Sequence, residues 1–339
     1  MSAQPAPQVW DADAIPGIVG GSLSMRQLRR EIRHIARANC SVAVHGETGS
    51  GKEAVARALH TLSHRNRGPL VAQSAAAVPD TLSDGILSGA EKGSHSAASS
   101  RAQGLFEQAH HGVLVLDELD KCSSAFQAKL LRVLEAREVR RLGGNTTVPV
   151  DVRVVVMMAR DPNQALAEGT LLPDLFFRFA VVVPVPPLRQ HREDIPEICR
   201  ALEPELAREA SAPVTVSPEA ATFLRDLDWH WPGNVRELLH LLVGAAVILG
   251  TPVVRVDHIQ RMLARRATTV RTAPATLSPS PSRSPIDLAA INARLEAGES
   301  LQRISTELGK NRSVLSKAIN AWRVSQGLMP RPPGRPRRC

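Results

Sequence analysis

Apolar and polar residues alternate in two different periods along the first half of the chain. The apolar residues between Met25 and Ile35 recur every three or four positions, which predicts a helix with one buried face. Helical patterns also cover residues 52–62 and 124–136. Between these patterns lie short, nearly continuous apolar runs of the kind that form buried strands, at residues 41–45, 113–116, 150–159 and 179–185. Strands that alternate with helices predict an α/β fold whose parallel sheet is covered on both faces.

The pattern changes from about Pro187, where the strand signals fade and three helical stretches follow. These stretches predict a smaller, all-helical domain. The segment after it is rich in proline, serine and threonine and lacks an apolar period, which is typical of a linker. The predicted organisation is a lead, an α/β core, a helical domain, a linker, a compact C-terminal unit and a tail, at residues 1–17, 18–186, 187–266, 267–285, 286–323 and 324–339.

Composition favours a cytoplasmic protein with an aliphatic core. Apolar residues make up 43% of the 339 residues, whereas aromatic residues make up 3% and tyrosine is absent. The N-terminus has neither the basic start nor the apolar run of a secretory signal. The longest apolar stretch, residues 238–254, is interrupted by two glycines, a histidine and a proline, which favours a buried helix over a membrane span. The four cysteines lie far apart in sequence, as expected for reduced thiols.

Positive charge is concentrated at the C-terminal end. The whole chain carries a formal net charge of +9. From Arg255 onward there are 16 lysines and arginines against 5 acidic residues, a balance of +11, which leaves −2 for the preceding residues. A nearly neutral body with a basic end favours nucleic-acid binding there, although a basic end that only improves solubility has the same composition.

A glycine-rich segment, GETGSGKE, stands between the first predicted strand and the next predicted helix. Glycines let such a loop curl so that backbone N–H groups point at phosphate oxygens, and Lys52 can reach the β- and γ-phosphates. The usual loop ends in a serine or threonine that holds magnesium, whereas this one ends in Glu53. The strand, loop and helix context nevertheless predicts a nucleotide-binding segment made of Gly46, Glu47, Thr48, Gly49, Ser50, Gly51, Lys52 and Glu53.

Two carboxylates end the second predicted strand, in the sequence LVLDE. Behind a phosphate-binding loop, Asp117 is the candidate ligand for magnesium, and Glu118 is the candidate base that polarises the attacking water. The alternative is an ordinary acidic pair at the end of a strand. The glycine-rich loop favours the catalytic interpretation.

Five segments together carry a resemblance to a known family. They are GETGSGKE, LVLDELD with FQAKLLRVLEAREVRRLGG, VDVRVVVMMARDP, VPPLRQHREDIP and WPGNVREL, and they occur in this order. Residues from about 18 to 263 resemble the AAA+ module of sigma-54-dependent transcriptional activators. Glutamate is common in that family at the position of Glu53.

The resemblance implies a P-loop NTPase core with an α-helical lid, which binds ATP and magnesium in a ring, usually a hexamer. Such rings remodel RNA polymerase that carries sigma-54, and a C-terminal helix-turn-helix binds DNA upstream of the promoter. Most members also have an N-terminal receiver or sensor domain. This sequence starts close to the ATPase, so we expect a member without that domain.

The resemblance also assigns two arginines. Arg236, in WPGNVREL, matches the arginine by which the family's lid senses the nucleotide. Arg178, in LFFRF, matches one of two arginine fingers that reach the ATP of a neighbouring subunit. An arginine finger stabilises charge on the transferred phosphoryl group.

Other positions depart from the family pattern. Leu172 aligns with the second arginine finger, Ala159 with a polar sensor that is usually asparagine, and Ser74 with an asparagine that contacts the catalytic glutamate. The family's sigma-54 contact loop reads GAFTGA, whereas this chain has GSHSAA, which replaces the phenylalanine with a histidine. The corresponding residues are Gly93, Ser94, His95, Ser96, Ala97 and Ala98.

These departures leave two mechanisms open. The chain is either an ATP-hydrolysing activator with an unusual loop, or a DNA-binding regulator that binds nucleotide and assembles but hydrolyses little. The second type would act with another form of polymerase or as a partner subunit in a mixed ring. An AAA+ remodeller of other proteins is a more distant alternative, which the C-terminal unit disfavours.

The C-terminal unit has the pattern of a helix-turn-helix. Leu301, Ile304 and Leu308 share one helix face, and Gly309 permits a turn before a second helix. The second helix would present to the DNA groove Arg312, Ser313, Ser316, Lys317 and Asn320. A small helical bundle for dimerisation is the alternative, which the basic charge disfavours.

The tail sequence RPPGRPRR resembles an AT-hook. Its Arg335 is a candidate for insertion into a narrow A·T minor groove. An extended basic tail that binds phosphates is an equally good interpretation of the same residues.

Overall fold

The computed structural model describes residues 14–91, 102–272, 288–297 and 299–307, together with Leu315, Ser316, Ile319, Asn320 and Arg323. The chain divides into two compact units, residues 1–268 and 269–339. The first contains the nucleotide-binding segment and the helical lid, and the second contains the predicted DNA-binding residues.

A five-stranded parallel sheet forms the centre of the first unit, in the order β2-β3-β6-β1-β7. A short antiparallel hairpin, β4–β5, and a two-stranded parallel pair, β8–β9, lie outside it. The strands of the described residues are β1 (Val42–His45), β2 (Leu70–Ser74), β3 (Val113–Asp117), β4 (Glu138–Arg140), β5 (Thr147–Pro149), β6 (Arg153–Met158), β7 (Val181–Pro184), β8 (Thr215–Val216) and β9 (Val253–Val254).

Helices cover both faces of the sheet and form the lid. In the core they are α1 (Leu23–Arg37), α2 (Lys52–Thr61), α3 (Ser83–Ser88), α4 (Leu105–Gln108), α5 (Ser124–Ala136), α6 (Pro162–Ala167) and α7 (Pro173–Phe176). In the lid they are α8 (Ile195–Ala210), α9 (Pro218–Asp226), α10 (Asn234–Leu249) and α11 (Val256–Thr272). The second unit contains α12 (Leu288–Glu296) and α13 (Leu301–Glu307).

The four strands predicted from apolar runs are confirmed as β1, β3, β6 and β7. Strand β6 is buried along its whole length, because it lies between β3 and β1 in the middle of the sheet. The fifth strand, β2, was missed in the sequence. It lies at the edge of the sheet, is only partly buried and ends in Gln73 and Ser74, so it lacks a continuous apolar run.

Apolar side chains fill both sides of the sheet. One cluster joins it to α1 and α2 and includes Ile32 and Leu59, both fully buried. The other joins the opposite face to α5 and includes Phe106 and Phe126. A separate cluster forms the lid core around Trp231. The aliphatic interior expected from composition is present, and each of these three aromatic rings is buried.

Parallel pairing brings the carboxyl ends of the strands to one edge of the sheet. Ser74 pairs with Asp117, and His45 pairs with both Met158 and Pro184. Segments that follow parallel strands therefore gather at this edge, where ligands bind in open α/β sheets.

Helix α11 continues through Thr272. The linker predicted at 267–285 was therefore wrong at its start, because residues 267–272 are helical. Residues 267–272 are rich in threonine and basic residues, so their composition did not indicate that helix α11 of the lid extends through them.

In the second unit, α12 and α13 pack through a small apolar core of Ile291, Leu295, Ile304, Leu315 and Ile319. Ile304, predicted to share one helix face with Leu301, is buried, and so are Leu315 and Ile319. Ser316 and Asn320 are helical and half-buried. Arg312, Ser313, Lys317 and Arg335, and the predicted turn at Gly309, lie outside the described residues.

The described part of the chain contains no helix that is both long enough and apolar enough to cross a membrane.

Arg153 joins the start of the central strand β6 to the end of α1. Its side chain is 2% exposed, and the guanidinium donates to the carbonyl oxygens of Cys40 (3.1 Å), Ala36 (3.1 Å) and Ile35 (2.8 Å). These carbonyls follow or end a helix, where backbone acceptors have no partner within the helix. One buried cation thus donates to three carbonyl oxygens, of which that of Ile35 also accepts the backbone N–H of Ala38 at 3.1 Å.

We expect Arg153→Met to lower the free energy of unfolding by about 2–4 kcal/mol, because buried carbonyls lose charged hydrogen-bond donors. Urea unfolding followed by circular dichroism measures this loss. The control is Arg160→Met, which removes an exposed arginine paired with Glu168 and should cost less than about 1 kcal/mol. Equal unfolding midpoints for the two variants would contradict the assignment.

Candidate nucleotide-binding site

The glycine-rich loop connects β1 to α2, as its sequence context predicted. Gly49 and Gly51 have φ angles of +76° and +101°, which residues with a side chain rarely adopt. A Cβ atom at Gly49 would also collide with the carbonyl oxygen of Gly233, at the start of α10. The glycine is therefore required both for the curl of the loop and for close approach of the lid.

Lys52 is held over the loop. Its ammonium donates to the carbonyl oxygens of Gly46 (2.7 Å) and Glu47 (3.0 Å). Burial lowers the pKa of Lys52, and the charge of Asp117 opposes that shift. Within the described part of the chain, the hydroxyl of Ser50 in the same loop is buried without a hydrogen-bond partner. A phosphate would supply both the acceptor that Ser50 lacks and a negative charge for Lys52, so the loop fits a nucleotide.

Asp117 ends β3 at the same edge of the sheet. Burial raises the pKa of Asp117, although the backbone N–H of Glu118 donates to its Oδ1 at 2.7 Å. A half-buried carboxylate of this kind is stabilised by a cation, so the site fits magnesium. The described residues contain no cluster of three or more metal-binding side chains. Magnesium that accompanies a nucleotide is usually held by one or two carboxylates and by the phosphates.

Glu118 follows Asp117 with a φ of +57°, a left-handed conformation that is uncommon for a residue with a side chain. Its Oε2 accepts a hydrogen bond from the hydroxyl of Ser74 (3.0 Å), and its Oε1 accepts one from the ammonium of Lys121 (2.5 Å). Lys121 and then Ser74 lower the pKa of Glu118. Ser74 therefore contacts the glutamate from the position where the family has an asparagine.

Lys121 was missed by the sequence analysis. The available signal was its spacing, three residues after Glu118 in the sequence DELDK, which places both side chains on the same side of a helical turn. That turn, Leu119–Lys121, is a 3-10 helix directly after the catalytic pair.

Asp120 fixes the end of β6, where the sensor asparagine is replaced by Ala159. The Asp120 side chain is 4% exposed, and its carboxylate accepts the backbone N–H groups of Ala159 (3.4 Å) and Arg160 (3.2 Å). The end of β6 is thus held in place without a polar side chain at position 159.

Asn234, the first residue of α10, connects the lid to the loop. Its amide nitrogen donates to Thr48 O (3.0 Å) and Glu47 Oε2 (3.2 Å), and its amide oxygen accepts the N–H of Leu188 (2.8 Å). The next N–H, of Val235, donates to Gly49 O at 3.0 Å. Asn234 is fully buried with a φ of +52°, a conformation that asparagine tolerates better than most residues.

Two charged pairs add to this contact. Both Nη atoms of Arg189 donate to the carboxylate of Glu47, at 2.7 and 2.6 Å, and this pair lowers the pKa of Glu47. The Nη2 atom of Arg236 lies 3.4 Å from Oε1 of Glu53. The glutamate at the last position of the loop thus faces the lid arginine that was predicted to sense the nucleotide.

The structure brings most of the predicted nucleotide-binding residues to one cleft between core and lid. The lid contributes three apolar side chains, Leu202, Val235 and Leu239, beside the charged side chains of Glu205 and Arg236. The predicted residues that line it are Thr48, Gly49, Gly51, Lys52, Glu53, Asp117, Glu118 and Arg236.

Arg178 lies elsewhere, at a separate surface pocket that also contains Arg137. It forms an ion pair with Glu135, and its side chain is 52% exposed. Leu172 precedes α7 and packs against the apolar cluster of the core, as expected for a residue that is no longer a finger. The predicted sigma-54 contact loop, Gly93–Ala98, lies outside the described residues.

We expect Asn234→Ala to weaken ATP binding about tenfold. The substitution removes two hydrogen bonds from the lid to the loop and one to Leu188, each worth about 0.5–1.5 kcal/mol, and a tenfold change corresponds to about 1.4 kcal/mol. Titration with a fluorescent ATP analogue measures the change. Asn234→Gly permits the positive φ but also lacks the amide, so it should lose a similar amount.

The matched control is Asn163→Ala, an exposed asparagine on α6. It should bind the analogue as the unaltered protein does. Wild-type affinity in Asn234→Ala would show that the amide does not maintain the cleft.

Comparison with known proteins agrees with this geometry. The family described as "Sigma-54 interaction domain" matches residues 18–184, and the "AAA+ ATPase lid domain" matches residues 189–276. The Nif-specific regulatory protein of Azotobacter vinelandii is 42% identical over 232 residues, which are 68% of this chain and 44% of that protein. The regulatory protein AtoC of Escherichia coli is 37% identical over 262 residues, 76% of this chain and 56% of that protein.

A crystal structure of NtrX from Brucella abortus in complex with ATP is similar with a TM-score of 0.62 and 33% identity, and the match covers 91% of this chain and 70% of that one. The chain spans about half the length of the curated relatives it matches. The two family matches, the identity to NtrX and the cleft between core and lid lead to one conclusion: the chain belongs to the sigma-54 interaction domain family of AAA+ proteins and carries the lid of that class.

Proposed function

We propose that this protein is a DNA-binding transcriptional regulator that binds and hydrolyses ATP in an AAA+ ring and acts on RNA polymerase carrying sigma-54. The observation that carries the proposal is the convergence of Lys52, Asp117, Glu118 and Arg236 on one cleft. Family membership and the ATP complex of NtrX support ATP as the nucleotide.

Each residue of the cleft has a role in this proposal. The loop N–H groups and Lys52 bind the phosphates, and Asp117 holds magnesium, which would neutralise charge on them. Glu118 orients and polarises water, and Ser74 positions Glu118 through its hydroxyl. Arg236 reports the state of the nucleotide to the lid. The apolar surface of Leu202, Val235 and Leu239 gives the rest of the nucleotide a dry surface.

Arg178 supports an assembly of several subunits. It is exposed and lies outside the cleft of its own chain, so it is available to a neighbour. A positively charged finger lowers the barrier only when it reaches the transferred phosphoryl group. The proposed active site is therefore complete only when a second subunit contributes Arg178.

The second unit supports DNA binding. Its small apolar core orders helices in the pattern predicted for a helix-turn-helix, and most of the excess positive charge follows Arg255. In the proposal, Arg312, Ser313, Ser316, Lys317 and Asn320 face the DNA groove, and Arg335 contacts the minor groove or the phosphates.

In the proposal, the ring contacts sigma-54 through Gly93–Ala98. The support for this target is family membership. Arg141 braces the base of this loop, because it pairs with both Glu91, which precedes the loop, and Glu107, which follows it. A histidine in place of the family's phenylalanine makes the proposed contact more polar. A partner subunit that hydrolyses little is the second candidate, favoured by Leu172 and Ala159, which remove a cation and an amide.

We expect steady-state ATP turnover per subunit to rise with protein concentration, because assembly supplies Arg178 in trans. Glu118→Gln should reduce turnover by at least about 100-fold, since general-base catalysis contributes about 10²–10⁴-fold. Phosphate release, measured with and without promoter DNA, tests both expectations. Arg178→Ala should reduce turnover but leave ATP binding unchanged.

Glu135→Gln is the matched control for Arg178→Ala, because it breaks the same surface ion pair but keeps the arginine. It should retain turnover. Wild-type turnover no higher than that of Glu118→Gln, with ATP still bound, would reject the hydrolysing ring in favour of the partner-subunit alternative.

We expect the double substitution Arg312→Ala with Lys317→Ala to abolish site-specific footprinting by the full chain. Each lost contact to a base costs about 1–3 kcal/mol, and each lost phosphate contact also weakens the salt dependence of binding. The control is Arg261→Ala, an exposed arginine on lid helix α11. If the double variant kept a site-specific footprint, the predicted second helix of the helix-turn-helix would not be the element that recognises the DNA sequence.

A further inference from the structure

The catalytic glutamate is engaged on both oxygens. Oε1 accepts the ammonium of Lys121 at 2.5 Å, and Oε2 accepts the hydroxyl of Ser74 at 3.0 Å. A glutamate that activates water must direct a free lone pair at that water, within hydrogen-bond reach. Each oxygen keeps a second lone pair, but the two contacts fix the direction of the carboxylate and the ammonium compensates its charge, so Glu118 in this orientation is a weaker base than a free carboxylate.

The position of Lys121 within the fold makes this contact reversible. Lys121 is at the end of the short turn Leu119–Lys121, and its side chain is 52% exposed. It lines the same cleft as Lys52 and Arg236. Water screens a half-exposed ion pair of this kind and leaves it weak, so nucleotide binding or a neighbouring subunit can break it.

We propose that Lys121 is a positioning residue that holds Glu118 in a resting orientation, so that ATP hydrolysis requires the Lys121–Glu118 ion pair to open. The inference rests on the proposed hydrolysis of ATP. It assigns a role to a residue that no other part of the proposed mechanism uses. It also gives a reason for slow turnover that is independent of the departures at Leu172 and Ala159.

The two contacts of Glu118 have different consequences. The hydroxyl of Ser74 is neutral and leaves the negative charge on the carboxylate. The ammonium of Lys121 compensates that charge and makes the shorter contact, 2.5 Å against 3.0 Å for the hydroxyl. Removal of Lys121 should therefore release the base, whereas removal of Ser74 should mainly loosen its orientation.

The test compares the full-length protein with Lys121→Met, which keeps the length of the side chain and removes its charge. The expected result is a threefold to fivefold rise in kcat for ATP, the scale of a half-exposed ion pair, with KM and ATP affinity unchanged. Lys121→Arg restores a cation and should return kcat to the wild-type value. A merely structural role would lower kcat or shift KM.

Two further variants restrict the interpretation. Lys129→Met removes a lysine that pairs with Asp84 at 2.8 Å on another surface, and it should leave kcat unchanged. Lys121→Met combined with Glu118→Gln should be as inactive as Glu118→Gln alone, since the effect acts through the glutamate.

The outcomes separate this inference from the proposed function. Turnover in Lys121→Met that equals the wild-type value, while both exceed Glu118→Gln, overturns the inference and leaves the ATPase assignment intact. A fall in kcat also overturns it, because Lys121 would then assist the reaction. Turnover that appears only in Lys121→Met supports the inference even if the wild-type protein is nearly inactive. A chain that does not bind ATP rejects the proposed function itself.

Discussion

The close approach of lid helix α10 to the phosphate-binding loop is the contact on which the candidate site depends. It is possible because Gly49 has no side chain where the carbonyl oxygen of Gly233 lies. The side-chain amide of Asn234 connects the two elements. Its nitrogen donates to Thr48 and Glu47 of the loop, and its oxygen accepts the N–H of Leu188 at the start of the lid. These hydrogen bonds hold the lid beside the loop, so that the cleft is lined by the loop and Asp117 on one side and by lid residues, both apolar and charged, on the other.

The main features of the fold were accessible from sequence because they depend on local patterns. Continuous apolar runs identified the three inner strands β1, β3 and β6, and also β7 at the opposite edge of the sheet from β2. The edge strand β2 was not predicted, because its partly buried residues, which end in Gln73 and Ser74, form no such run. The start of the linker was also wrong, since helix α11 carries its threonines and arginines beyond the lid core. Composition alone does not separate a helix end that is rich in threonine and arginine from a linker.

The site was predicted less completely than the fold, because several of its contacts join residues that are distant in sequence. The loop, Asp117 and Glu118 were found from motifs. The roles of Arg189 and Asn234 depend on side-chain contacts with a loop about 140 to 190 residues away, which no local pattern reveals. Ser74 appeared in the sequence as the loss of an asparagine. In the structure its hydroxyl still reaches Glu118, so the residue type changed while a hydrogen bond to the glutamate was kept.

At the carboxyl ends of the strands, one departure from the family pattern is accompanied by a compensating contact. Ala159 supplies no amide, but Asp120 binds the backbone at that point and keeps the strand end fixed. No such replacement follows from the described contacts of Leu172, which packs into the core. The backbone at the end of β6 is thus held in place, whereas no cation stands at position 172. If the proposed hydrolysis takes place, the conformation of the single base Glu118 matters more, because fewer cations would stabilise the transition state. The Lys121–Glu118 ion pair acts at that base, which makes it the contact through which nucleotide and neighbouring subunits would exert the strongest control.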